Sequence, residues 1–253
     1  MYAKAAKRAA AKSLGEVVLI GCEGAGKTLL CRHLEKLSKG DTSALSPSTQ
    51  PSIGVETAEL SCRSQAFSMR EVGGVMQPVW GNYFAACAAV ILVADSATAQ
   101  GAASAAIELC EVLRAQTLAG KRVLLLLNKR DLPSAIPEPS VRLLLGLPAL
   151  EDFAGPNRLR VLAVSALSGK GLTEVFEWCL ESCLAHRQAL KDAAMLEAAA
   201  AKEAAAAEKA AAKKAREKPP ADGMPPPDRP RTLPKTSRWR KVRGLVAATS
   251  AIS

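Results

Sequence analysis

A three-layer α/β fold, built on a mostly parallel six-stranded sheet with one antiparallel edge hairpin, is the fold class this sequence predicts. Three observations predict it. Apolar runs of strand length alternate with helix-like segments across residues 16–184. A glycine-rich loop, Gly21–Thr28, follows the first run directly and opens the first helix. Two later runs, 123–127 and 159–164, each end in polar turn residues, so three candidate loops gather at the carboxyl ends of strands.

The elements follow in order. The predicted strands are 16–21, 55–61, 66–72, 88–95, 123–129 and 159–165. The predicted helices are 26–38, 78–87, 100–118, 138–146 and 171–184. Segments 55–61 and 66–72 are separated only by Cys62–Gln65, which suits a hairpin, whereas the other connections are long enough for helical crossovers. Val123-Leu124-Leu125-Leu126-Leu127 is continuously apolar, as a strand buried on both faces must be.

The first loop, Gly21-Cys22-Glu23-Gly24-Ala25-Gly26-Lys27-Thr28, reads G-x-x-x-x-G-K-T, a P-loop. Glycines let successive backbone N–H groups turn toward one anion, and the helix N-terminus adds positive potential. Lys27 would reach the β- and γ-phosphates, and the Thr28 hydroxyl would bind Mg²⁺. Asn128-Lys129-Arg130-Asp131 reads N-K-x-D at a strand end. Guanine presents N1–H and N2–H₂ side by side, and the Asp131 carboxylate can accept from both. Adenine has an acceptor at N1, which Asp131 would repel. The Lys129 stem would cover a base face, and Asn128 would tie this loop to the phosphate loop. At Ser165-Ala166 a backbone N–H could donate to guanine O6.

These elements in this order resemble the small GTPases, and their detail resembles the ADP-ribosylation-factor-like (Arf-like) family. Pro51-Ser52-Ile53-Gly54 is similar to that family's P-T-I-G switch I. Arg70-Glu71-Val72-Gly73-Gly74 is similar to its W-D-V-G-G switch II, followed by Pro78-Val79-Trp80 and Tyr83-Phe84 in place of P-L-W and Y-F. Asn128–Pro133 is similar to N-K-Q-D-L-P, and the acidic Glu23 suits Arf-like members. The similarity covers roughly residues 16–184. It implies a P-loop NTPase fold of the small-GTPase type and a regulatory switch of the trafficking or signalling kind, with GTP/GDP and Mg²⁺ as ligands. Nucleotide contacts are implied for Gly21, Glu23, Gly24, Ala25, Gly26, Lys27, Thr28, Leu29, Gly74, Asn128, Lys129, Asp131, Ser165 and Ala166. Metal contacts are implied for Thr28 and Ser52, and for Glu71 through water. Effectors and regulators would meet switch I and switch II at Val55, Trp80 and Tyr83, with Trp80 equally readable as core.

Departures from the family pattern bear on mechanism. Ser52 replaces Thr and keeps the hydroxyl without the methyl group. Glu71 replaces Asp and is one methylene longer, which strains the near-octahedral shell Mg²⁺ requires. Val75 occupies the position of the Gln that orients the attacking water, and no catalytic residue is assigned with certainty. Gly74 and Pro78 are also two residues closer than is usual in the family. Very slow, partner-dependent hydrolysis is expected. The alternative is a non-hydrolysing GTP-dependent adaptor. A P-loop kinase or ATPase is a third class, against which Asp131 argues.

Net charge is +10, unevenly placed. Residues 1–15 carry four basic and no acidic side chains, residues 16–184 fifteen and seventeen, and residues 185–253 fifteen and seven. Basicity therefore belongs to the termini and speaks of partners rather than of the catalytic module. The seven cysteines are scattered without a C-x-x-C pair, which suits small core residues in a reducing, cytoplasmic setting, with Cys22 as an oxidation point beside the phosphates. His33 and His186 are the only histidines, which disfavours zinc or triad chemistry. No apolar run is long enough for a transmembrane helix.

Four segments are expected: a basic N-terminal extension 1–15, a GTPase domain 16–184, an Ala/Lys/Glu-rich helical extension 185–218 and a Pro-rich, basic, disordered tail 219–253. Tyr2 speaks against myristoylation and Ala251-Ile252-Ser253 against prenylation. The cluster around Arg238-Trp239-Arg240-Lys241 reads as a solvated tail, a contact for anionic membrane, or, most weakly, a nucleic-acid patch.

Overall fold

A computed structural model describes residues 13–43, 45–48, 52, 54–62 and 65–216. The basic termini therefore lie outside the described residues. Two compact units divide the chain at 201/202, and the second is described only through Arg216, where it is helical.

The first unit is a six-stranded sheet in the order β2-β3-β1-β4-β5-β6. The strands are β1 (Ser13–Ile20), β2 (Val55–Cys62), β3 (Gln65–Val72), β4 (Ala89–Asp95), β5 (Arg122–Asn128) and β6 (Leu159–Ala163). Only β2 runs antiparallel, paired with β3 from Val55↔Val72 to Cys62↔Gln65. Helices α1 (Lys27–Lys39), α2 (Gly81–Phe84), α3 (Ala99–Arg114), α4 (Glu138–Leu144), α5 (Leu147–Ala154) and α6 (Leu172–Arg216) complete the chain.

Two-sided burial explains the apolar strand runs. Val17, Leu19, Ile91, Val93, Leu124 and Leu126 enter one core cluster with α1 and the start of α6. Their alternating neighbours Val18, Ile20, Val90, Leu92, Leu125 and Leu127 enter a second cluster with α3. A strand exposes alternate side chains to opposite layers, so a sheet covered on both faces needs apolar residues at every position. Each such fully buried leucine contributes about 1.5–3 kcal/mol relative to exposure.

The chain departs from its sequence reading in several places. β1 begins at Ser13 and buries Leu14, so the end of the segment read as a basic extension belongs to the sheet. β6 ends at Ala163, which leaves Ser165 and Ala166 in the following loop. The helix expected over 78–87 is instead a 3₁₀ turn, Gly74–Val79, and the four-residue α2. Pro78 lacks an N–H, and the Gly73-Gly74 pair before it disfavours a regular α-helix. The helix expected over 138–146 stops at Leu144 because Gly146 turns left-handed (φ 61°), and α5, which the sequence reading lacked, starts at Leu147. Pro148 in its first turn was the available signal. The last helix is no departure: α6 is one helix from Leu172 to Arg216, so the expected core helix continues into the Ala/Lys/Glu-rich extension that the sequence reads as helical. No described helix is long and apolar enough to cross a membrane.

Candidate nucleotide site

β1 ends at Ile20, and the chain turns through Gly21–Gly26 into α1. Lys27 folds back over this loop. Its Nζ donates to the carbonyls of Gly21 (2.8 Å) and Cys22 (2.9 Å). The side chain is only 6% exposed, and burial holds its pKa below the usual lysine value. An ammonium held by two neutral carbonyls is ready to exchange them for anionic oxygens.

The next residue begins an oxygen cluster. Thr28 Oγ1 donates to Glu71 Oε1 at 2.6 Å and lies 3.0 Å from Ser52 Oγ, which also reaches Glu71 Oε1 at 3.4 Å. Burial pushes the Glu71 carboxyl upward from its ordinary pKa. Two hydroxyls and one carboxylate are hard oxygen donors, and they fit Mg²⁺ completed by phosphate oxygens and water. Among the described residues no group of three His, Cys, Asp or Glu could hold a metal ion.

Gly73 and Gly74 press switch II onto these loops. Gly73 N–H donates to the Gly54 carbonyl at 3.0 Å. A Cβ on Gly74 would lie 2.3 Å from the Glu23 nitrogen, so only glycine permits this approach. Val75, immediately after, is 56% exposed.

Asn128 ends β5 and joins three segments. Its Nδ2 donates to the Ala25 carbonyl at 2.8 Å, and its Oδ1 accepts from Ala166 N–H at 2.9 Å. Lys129 follows in the left-handed region (φ 67°), and its Nζ pairs with Asp95 Oδ2 at 2.7 Å. Asp131 Oδ1 accepts from the Ser165 hydroxyl at 2.6 Å. Gly26, Leu29, Asn128, Lys129, Asp131 and Ala166 line a cavity of about 260 Å³ with Pro47, Leu132 and Leu167. Apolar walls with a few converging polar groups are what a flat heterocycle requires. The folded chain thus brings the three predicted loops together at one sheet edge.

The ADP-ribosylation factor family profile matches residues 2–183. The chain belongs to this family. Human ADP-ribosylation factor-like protein 16 is 32% identical over 168 residues, covering 65% of this chain and 84% of the relative. ADP-ribosylation factor-like protein 1 of Saccharomyces cerevisiae is 31% identical over 167 residues, covering 65% and 85%. Among solved structures, the Arl6 (BBS3) small GTPase from Trypanosoma brucei, with bound nucleotide analogue GppNp, superposes with a TM-score of 0.56. It is 21% identical and covers 66% of this chain and 96% of that one, and it supports the fold. The Arf-family chain is accordingly a small GTPase, a guanine-nucleotide-binding regulatory switch.

Two sequence expectations change in the folded Arf-like domain. Trp80 is 3% exposed, packed in the core, and its indole N–H donates to the Gly73 carbonyl at 3.2 Å. Of the two readings open to it in the sequence, burial supports the core one, with the indole holding the Gly73 carbonyl from inside. Val55 and Tyr83 are half-buried against the same core, with Arg70 stacked over the Tyr83 ring at 5.5 Å. Cys22 is not a poised oxidation point. Its thiol donates to Glu108 Oε1 at 2.9 Å, and burial pushes its pKa up to about 11, which suppresses the reactive thiolate.

Sequence reasoning also missed four side chains that contact the loops of the site: Asp95 on Lys129, the Ser165 hydroxyl on Asp131, His33 on the Ala166 carbonyl and Glu108 on Cys22. Asp95 was findable, since it ends a buried strand on the ligand side. Glu108 and His33 sit on helices with no spacing that sets them apart.

Proposed function

We propose that this chain is a GTP-loaded switch with very slow intrinsic hydrolysis, completed in trans by a partner. The carrying observation is Val75. It follows the glycine that touches the P-loop, and its side chain offers no hydrogen bond to an attacking water. Phosphoryl transfer depends on positioning and electrostatics, so the missing group slows the step without weakening binding. Lys27 would hold the β- and γ-phosphates, Asp131 the guanine edge, and Asn128 the two loops in register. Thr28 and Ser52 would bind Mg²⁺, with Glu71 contacting it through water. Bound there, the ion would neutralise phosphate charge.

The γ-phosphate would order Ser52 and Gly73 and so expose a conformation that effectors recognise. Val75 and Val79, both exposed, and the half-buried Val55 and Tyr83 offer the apolar part of that surface. Six described cysteines are free, which supports a reducing, cytoplasmic address; peripheral contact with anionic membranes is proposed for the basic termini, in a trafficking or signalling role. Glu71, longer by a methylene than the family's Asp, favours a second reading, a non-hydrolysing adaptor.

Single-turnover hydrolysis of bound GTP tests the proposal. A slow rate that rises when a partner is added supports the switch. A rate like that of ordinary small GTPases without a partner refutes both readings, and no acceleration by any partner favours the adaptor.

A further inference from the structure

The loop after β6 is a closed hydrogen-bonded unit. Ser165 N–H donates to the Lys170 carbonyl (3.1 Å), Gly169 N–H to the Ser165 carbonyl (2.9 Å) and Ser168 N–H to the Ser165 hydroxyl (3.0 Å). Ala166 N–H is already used by Asn128 Oδ1. Among the described residues, no hydrogen bond of the fold uses the next amide, Leu167 N–H, and Leu167 lines the cavity beside Asp131.

From the opposite side comes His33, on α1. Its Nδ1 lies 3.0 Å from the Ala166 carbonyl oxygen. A carbonyl only accepts, so Nδ1 carries the proton and donates. The imidazole lies close against Gly169, where an added Cβ would stand 2.7 Å from its Cε1 and Nε2 atoms. Gly169 also has φ +81°, which glycine alone adopts without strain.

The Ala166 C=O and the Leu167 N–H belong to one planar trans peptide and point in opposite directions. Fixing the carbonyl therefore fixes the amide. We infer that His33 is a positioning residue for base recognition: by holding the Ala166 carbonyl, it aims the Leu167 N–H into the cavity at the 6-oxo group of guanine. The inference rests on the reading of this cavity as the guanine site. His33 touches no ligand itself. It also polarises the peptide, since a donor on the carbonyl makes the N–H a better donor.

The test measures GDP and 6-thio-GDP affinities for the full chain and for His33→Ala and His33→Asn. The thio analogue keeps both donors that face Asp131 and replaces only the oxygen with weakly accepting sulfur. Expected for His33→Ala is a loss of GDP affinity of about tenfold, equivalent to ~1.4 kcal/mol, with 6-thio-GDP affinity nearly unchanged. His33→Asn, whose amide nitrogen can stand where Nδ1 stands, should restore most of the discrimination. Equal losses for both nucleotides, or unchanged discrimination in His33→Ala, would overturn the role of His33 while leaving the guanine site intact. If the unaltered chain binds neither nucleotide, the guanine site and this inference fall together.

Discussion

Asn128 donates from Nδ2 to the carbonyl of Ala25 at 2.8 Å, across 103 residues of chain. With its Oδ1 on Ala166, one buried amide holds the phosphate loop, the end of β5 and the loop after β6 in a common frame. Asn128→Ala should remove both bonds and leave the Ala166 N–H unpaired. A stability loss of about 2–3 kcal/mol is expected from two buried hydrogen bonds. Nucleotide release should accelerate with it. Thermal unfolding and fluorescent-GDP dissociation check the two effects.

Asp131 is anchored through Oδ1 by the Ser165 hydroxyl, an arrangement an amide oxygen can also accept. Asp131→Asn should therefore preserve the loop and change what it reads. The new N–H₂ meets guanine's donors with a donor and xanthine's 2-oxo with a match. Guanine affinity should fall by about a hundredfold, the loss expected from charge-assisted hydrogen bonds, and xanthine nucleotides should gain. Competition between GDP and XDP measures this. Unaltered guanine preference would remove Asp131 from the site.

Val75 stands in a 3₁₀ turn rather than an extended loop. Val75→Gln should raise single-turnover GTP hydrolysis by roughly tenfold, short of the ~10²–10³ a well-placed hydrogen-bond donor supplies. The shortened connection to Pro78 limits how well the new side chain reaches the water. A rate that stays flat would mean that slow turnover does not originate at this side chain.

Glu108 lies 4% exposed beneath the P-loop, its Oε2 without a hydrogen-bond partner among the described residues. Burial raises its carboxyl above the usual 4.5. Above 4.5 and below the raised value, the folded chain keeps a proton that the unfolded chain has lost. Stability from this group is then present at low pH and fades as pH rises through the folded value. Glu108→Gln, which cannot ionise, should lose that pH dependence and melt higher than the unaltered chain near neutrality. Melting temperatures across the acid-to-neutral range decide it; parallel curves for the two proteins would show Glu108 does not titrate this way.

The loops that meet at the candidate site were legible before the chain was folded. Gly21–Thr28, Asn128–Asp131 and Ser165-Ala166 are local patterns whose chemistry depends on residue type and on a preceding strand. That the sheet is mostly parallel and covered on both faces was legible too, because such strands must be apolar throughout, whereas the order of the strands came only from the fold. Trp80 was not legible: an aromatic after a proline suits either a surface or a core, and only its burial in the cluster that also holds Val72 and Phe84 decides between them. Nor was Glu108, a lone carboxylate on a helix until the fold sets it against Cys22.

Local residue order thus specified which loops form the candidate site and which carboxylate lines its cavity, since those patterns reside in single short segments. Assembly in three dimensions settled the rest: that Asn128 unites three loops, that Trp80 props Gly73 from inside, and that His33 reaches Ala166. These are contacts between residues 7 to 133 positions apart, and no periodicity along a chain encodes a partner that distant. Packing creates them, because a buried polar group must find a hydrogen bond wherever the fold has put one.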